Sequence, residues 1–71
     1  MYKYLIVFER TDTGYSAYVP DLPGCIATGK TRAIAEKNII GALRFHLEGL
    51  KEEKIQFPVN RTDAEVFVFS V

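Results

Sequence analysis

The sequence predicts an α+β domain in which an antiparallel-rich sheet carries one long helix on one face, in the chain order β-β-β-α-β. Three observations predict it. Runs of aromatic and β-branched residues open and close the chain, Pro- and Gly-containing turns separate the early runs, and a long central stretch has apolar residues at helical spacing. At 71 residues the chain is expected to form a single domain, residues 1–71.

Three strands are expected before the helix, because each of these runs is rich in residues that favour strands. They are Tyr2–Phe8, Tyr15–Val19 and Cys25–Thr28. The first two form a hairpin, since Thr11–Gly14 supplies an Asp and a Gly for a tight turn. Pro20 and Pro23 lack backbone donors, so the segment between them cannot continue inside a sheet.

The central stretch is predicted to be a helix from Arg32 to about Glu52, with Thr31 as its N-cap. Its main apolar stripe consists of Ala35, Ile39, Ala42, Leu43, His46 and Leu50. A second, weaker stripe consists of Ile34, Asn38, Gly41 and Phe45. The main stripe is typical of a helix lying on a sheet. Two interpretations of the second stripe stay open. Gly41 allows the backbone of a partner to approach closely, or Phe45 packs on the connector that follows the helix and Gly41 is merely tolerated.

A connector, Ile55–Asp63, leads to a final strand, Ala64–Val71, expected in the same sheet. The strands do not alternate apolar with polar residues, so both sheet faces need cover and one helix covers only one. Self-association through the last strand is expected to cover the other face. Its candidate interface residues are Val66, Phe67, Val68, Phe69 and Val71. The alternative is internal cover by Ile55, Phe57 and Val59.

Composition narrows the functional classes. Nine basic and nine acidic residues cancel, so no net field attracts nucleic acid or an anionic membrane. No apolar run approaches the length of a membrane span, and the N-terminus lacks a signal-peptide pattern. A single cysteine fits a reducing compartment. We therefore expect a cytoplasmic protein that does not itself bind DNA or RNA.

Residue types that carry chemistry are few and scattered. His46 lies among aliphatic residues of the helix stripe, and Cys25 has no cationic neighbour that would activate its thiol. Asp21 is expected to accept backbone N–H groups of its own turn. The carboxylates show no spacing that predicts a metal pair. The sequence thus predicts no catalytic residue, no metal site and no cofactor.

The segment from Gly14 to Thr31 is the most specific part of the sequence. It resembles the hallmark of the HicB-like antitoxin family, G-Y-x-A-x-x-P-D-L-P-G-C followed by a T-x-x-x-A helix start. The matching positions are Gly14, Tyr15, Ala17, Pro20, Asp21, Leu22, Pro23, Gly24, Cys25, Gly29, Thr31 and Ala35. The resemblance covers nearly the whole chain and implies a partial ribonuclease-H-like fold without the nuclease's carboxylates.

The resemblance implies an antitoxin that binds and blocks a small HicA-like toxin, which cleaves messenger RNA. Many relatives append a DNA-binding domain, so operator binding is not expected of these residues alone. Two alternatives stay open: a self-associating domain with an unknown ligand, and a cryptic metal-dependent nuclease. The expected partner contacts are the Pro20–Cys25 turn and the second helix stripe. The residues named for them are Asp21, Leu22, Pro23, Ile34, Asn38 and Phe45.

Overall fold

Three antiparallel strands followed by one long helix make up the body of the chain. The computed structural model describes residues 1–71. The elements are β1 (Val7–Thr11), β2 (Gly14–Tyr18), β3 (Ile26–Gly29) and α1 (Arg32–Glu52). The strands lie in the order β1-β2-β3, and both neighbouring pairs are antiparallel. The predicted α+β class is therefore confirmed, as is the single long helix.

The first strand begins five residues later than predicted, because its only partner sets its extent. Val7 pairs with Tyr18 at one end of the hairpin, and Thr11 pairs with Gly14 at the other. Beyond Tyr18 the partner strand turns away toward Pro20, so residues 2–6 have no ladder to join. The predicted Thr11–Gly14 turn is confirmed as a two-residue hairpin loop.

Only one of the two faces of the sheet is covered by the helix. Going from β1 to β3, one row reads Phe8, Ala17 and Ala27, and the next row reads Val7, Tyr18 and Ile26. The first row packs against α1, where Ala17 is fully buried. The second row faces away from the helix, and its Ile26 is exposed. One helix thus covers one face, as the strand patterns predicted.

The helix has the predicted bounds and the predicted cap. The Thr31 hydroxyl accepts a hydrogen bond from the Ile34 N–H at 3.2 Å. Ala35 and Ile39 are fully buried against the sheet, whereas Leu43 and Leu50 farther along the main stripe are half-buried. The N-terminal half of α1 therefore makes the tighter contact with the sheet. The whole fully buried core comprises Ala17, Val19, Leu22, Cys25, Ala35 and Ile39.

The fourth strand predicted at Ala64–Val71 is wrong for the single chain. After α1 the chain runs past the residues before β1, where the Asn60 side chain accepts the Leu5 N–H at 2.9 Å. The following segment, residues 64–71, pairs with no strand, and every residue in it is exposed. The radius of gyration is 14.0 Å, against about 11 Å for a compact domain of this length. This segment therefore projects away from the body.

The connector does not supply the internal cover that was the alternative to self-association. Phe57 packs on Tyr2 with ring centroids 5.0 Å apart. Ile55 and Val59, by contrast, are exposed themselves. The connector therefore packs beside the start of the chain and leaves the outer sheet face open at Ile26.

Candidate partner-binding surface

The turn between β2 and β3 is closed by its own backbone. The Val19 N–H donates to the Cys25 carbonyl, the Leu22 N–H donates to the Val19 carbonyl and the Cys25 N–H donates to the Leu22 carbonyl, each at 3.1 Å. Gly24 adopts a φ of 84°, a left-handed conformation that suits glycine. The turn is thus held by three backbone hydrogen bonds and lies outside the sheet, as its two prolines predicted.

Leu22, which the sequence places among the partner contacts, points into the core. Its side chain is 0% exposed, while the neighbouring Pro23 is exposed. A partner that touches this turn therefore meets Pro23, and Leu22 supports the turn from beneath. A turn motif alone does not say which of its side chains points inward, since that depends on the helix packed below it.

Asp21 anchors the connector to the turn. Its carboxylate accepts the N–H groups of Thr62 and Arg61, each at 2.8 Å, and the Thr62 hydroxyl at 3.1 Å. The expected role as an acceptor of backbone N–H groups is correct, but the donors lie about forty residues away and not in its own turn. The hydrogen bonds from Thr62 and Arg61 hold the pKa of Asp21 below its ordinary value of 3.8, because they favour the ionised form. We call this contact the Asp21 clamp.

The second helix stripe lies along the β3 side of α1. The Asn38 side-chain amide donates to the Thr28 carbonyl at 2.8 Å, so Asn38 ties the helix to β3. Phe45 is 79% exposed, and Ile34 is 46% exposed. Gly41 between them would have open space at a Cβ position. The structure therefore brings Ile34, Gly41 and Phe45 onto one accessible helix face, with Asn38 as an internal link.

An open apolar concavity of about 480 Å³ lies beside the turn. Its lining residues are Tyr18, Val19, Pro20, Leu22, Pro23, Gly24, Cys25 and Ile26. Ile26 is 61% exposed there and was missed as a contact candidate. Strand alternation could have found it, because the residue after a buried Cys25 must point to the opposite face.

The residues considered for chemistry are dispersed. Nowhere do three or more His, Cys, Asp or Glu side chains come together as a metal-binding group. Cys25 is buried, and this burial raises the pKa of its thiol. His46 is half-buried on the helix. The single helix also lacks the long apolar run that a membrane-crossing helix requires.

The hydrogen-bonded proline turn and the exposed apolar face of α1 are the two surface features of this small α+β chain that suit contact with another protein. The model of the HicB-like antitoxin family of bacterial toxin-antitoxin systems matches residues 4–68. The chain therefore belongs to the HicB-like antitoxin family.

Relatives of known sequence differ in how much of their length this chain spans. A UPF0150 protein of Thermoplasma acidophilum is 39% identical over 64 residues, covering 89% of this chain and 90% of the relative. A 14.9 kDa protein of Haemophilus phage HP1 is 33% identical over 76 residues, covering 96% of this chain but 57% of the relative. Antitoxin HicB 2 of Photorhabdus laumondii is 31% identical over 70 residues, covering 93% of this chain and 48% of the relative. The chain thus spans about half the length of the last two.

A solved structure, the HicA3 and HicB3 toxin-antitoxin complex, contains a chain with a similar fold. The TM-score is 0.68 at 35% sequence identity, covering 84% of this chain and 70% of the other. The arrangement of three antiparallel strands and a long helix is therefore found in a protein solved together with a toxin.

Proposed function

We propose that this chain is the toxin-binding module of an antitoxin, that it neutralises a HicA-like toxin by direct contact, and that it performs no catalysis. Its membership of the HicB-like family supports this proposal. The similar chain in a HicA3 and HicB3 complex supports the identity of the partner. The toxin's cleavage of messenger RNA is what the family resemblance implies.

The exposed face of α1 carries the proposal for the contact surface. Phe45 is a large aromatic residue with 79% of its surface in water, next to the open space over Gly41. Buried aromatic anchors supply much of the energy at protein interfaces. A glycine beside such an anchor lets a partner backbone approach closely. We place Phe45 and Ile34 at the centre of the contact.

The proline turn forms the second part of the proposed contact. Pro23 and Ile26 are exposed beside the apolar concavity. Because three backbone hydrogen bonds hold the turn, a partner that binds it loses little entropy in ordering it. Three of the residues expected at the contact support this surface and do not touch the partner themselves. Asp21 does so through the clamp, Leu22 through its packing in the core, and Asn38 through its hydrogen bond to β3.

The test is co-purification of the tagged chain with the HicA-like toxin encoded beside it. Phe45→Asp is expected to abolish recovery of the toxin, because it places a charge at the centre of an apolar contact. The matched control is Ile40→Asp, the same change at an exposed apolar residue about 140° around the helix. Far-ultraviolet circular dichroism checks that both variants keep their helix.

Equal recovery of toxin with Phe45→Asp and with wild type would contradict the proposed surface. Retention of toxin binding by a variant combining Phe45→Asp with Pro23→Asp would contradict both parts of it. Metal-dependent RNA cleavage by the purified chain without toxin would contradict a purely binding role.

A further inference from the structure

An open polar cavity of about 320 Å³ lies at the hairpin end of the sheet. Thr11 pairs with Gly14 where the hairpin closes, and Gly14 lies against Lys30, since a Cβ at Gly14 would be 2.9 Å from the Lys30 Cα. Because Gly14 carries no side chain, Thr11 and Lys30 flank an open position. The residues that line the cavity are Thr11, Thr13, Tyr15, Thr28, Gly29 and Lys30.

The side chains around this cavity present hydrogen-bond donors and no carboxylate. Three of them are threonines, and the fourth is Lys30 with its ammonium group. Neither Asp12 in the hairpin loop nor Glu9 lines the cavity. The Tyr15 hydroxyl accepts a hydrogen bond from Arg10 at 3.3 Å, which leaves its own hydrogen free to donate. The lining therefore suits a ligand that accepts several hydrogen bonds and carries negative charge.

The donors in the cavity are not used within the chain. The one ion pair of the chain joins Arg32 to Glu36, so the Lys30 ammonium has no carboxylate partner. The threonine hydroxyls that form hydrogen bonds within the chain are those of Thr31 and Thr62. The three threonine hydroxyls in the cavity are therefore free to bind a group from outside the chain.

We propose that this cavity binds the phosphate group of a small phosphate monoester. A phosphate monoester carries nearly two negative charges at neutral pH and has three strong acceptor oxygens, which match a cluster of hydroxyl donors around one ammonium group. Lysine is a common phosphate ligand because its ammonium acts as a compact point charge. The volume of about 320 Å³ exceeds what the phosphate group fills, and small-molecule sites typically have about 300–1,000 Å³. The rest of the cavity thus has room for the organic part of the ester.

The phosphate site is separate from the proposed toxin contact. Pro23 precedes β3, and Ile26 pairs with Tyr18 where that strand begins. The cavity adjoins the opposite end of β3, at Thr28 and Gly29. The proposal therefore does not rest on toxin binding, and the two are tested independently.

The first experiment titrates the isotope-labelled chain with adenosine monophosphate and follows the amide signals by NMR, without toxin. We expect saturable shifts centred on the amides of Gly14, Gly29 and Lys30. Lys30→Gln is expected to weaken binding about tenfold or more, because it removes the charge that faces the phosphate. Lys30 is exposed and forms no ion pair, so this variant keeps the fold, which its own spectrum verifies. The matched control is Lys37→Gln at an exposed lysine of α1, which is expected to bind as wild type does.

A second experiment separates the phosphate from the rest of the ligand. Thr28→Val keeps the shape of the side chain but removes its hydroxyl, and it is expected to weaken binding roughly threefold to tenfold. Adenosine, which lacks the phosphate, is expected to leave the three amides unshifted. Inorganic phosphate is expected to shift them with lower affinity, because it lacks the contacts of the organic part.

Three results would overturn the proposal. The first is a wild-type chain that shows no saturable shifts with adenosine monophosphate, or that responds equally to sodium chloride at the same ionic strength. The second is equal binding by Lys30→Gln and Lys37→Gln. The third is binding of inorganic phosphate alone, which would show a site for the free ion and not for an ester.

Discussion

Leu22→Ala tests the packing of the turn most directly, because the motif places Leu22 on a surface turn and the structure buries it. Its side chain is 0% exposed and is one of the two largest fully buried side chains. Truncation of a buried leucine to alanine costs about 2–5 kcal/mol, from lost transfer energy and the cavity that remains. The total stability of a chain of this length is about 4–11 kcal/mol. The substitution therefore removes a large share of it.

The assay is thermal and urea unfolding followed by the circular dichroism of the helix. A loss of about 3 kcal/mol lowers the Tm of a domain this size by roughly 12–24 °C. All samples are kept at one protein concentration, since self-association would make Tm depend on concentration. The matched control is Phe45→Ala, where 79% exposure predicts a change within about 0.5 kcal/mol.

The reasoning would be refuted if Leu22→Ala unfolded at the wild-type midpoint. It would equally be refuted if Phe45→Ala lowered the free energy of unfolding as much as Leu22→Ala does. The exposure of a side chain would then not determine how much stability its truncation removes. A Leu22→Ala protein that keeps its stability but loses its toxin would restore Leu22 as a direct contact.

Two further predictions concern the backbone and the clamp. Gly29→Ala is expected to destabilise the fold by about 1–3 kcal/mol, because the added Cβ would overlap the backbone of Ala35, whose Cα would lie 2.9 Å away. Gly41→Ala is expected to stabilise the helix by up to about 1 kcal/mol, because the added Cβ would point into open space. Urea midpoints of the two variants decide this, and equal shifts would contradict it. The clamp stabilises the fold when Asp21 is ionised, and its lowered pKa means that this stability is fully present above the ordinary value of 3.8 and is lost as pH falls below it. Wild type should therefore lose stability on acidification in this range more steeply than Asp21→Asn, and parallel pH profiles would show that the clamp contributes nothing.

The candidate surface was only partly predictable from the sequence. The helix stripe identified Ile34 and Phe45 as residues without an internal role, because helical spacing fixes which residues share a face. It could not show that Asn38 binds the Thr28 carbonyl, because that contact depends on how α1 sits over β3. Ile26 could have been predicted from strand alternation, because it directly follows the buried Cys25 and therefore faces the opposite side of the sheet.

The sequence by itself determined the three early strands, the long helix and their order, but it also predicted a fourth strand that does not form in the single chain. The helix bounds, its Thr31 cap and the hairpin turn follow from local patterns, because apolar spacing, capping and turn chemistry act over a few residues. Only the tertiary structure decided where β1 begins, that Leu22 points inward and that Asp21 holds residues forty positions away. Residues 64–71 have a strand-forming sequence but no strand partner in their own chain. A local pattern of apolar residues shows that a segment can form a strand. Whether that strand pairs with the chain's own sheet depends on the path of the whole chain, which no local pattern specifies.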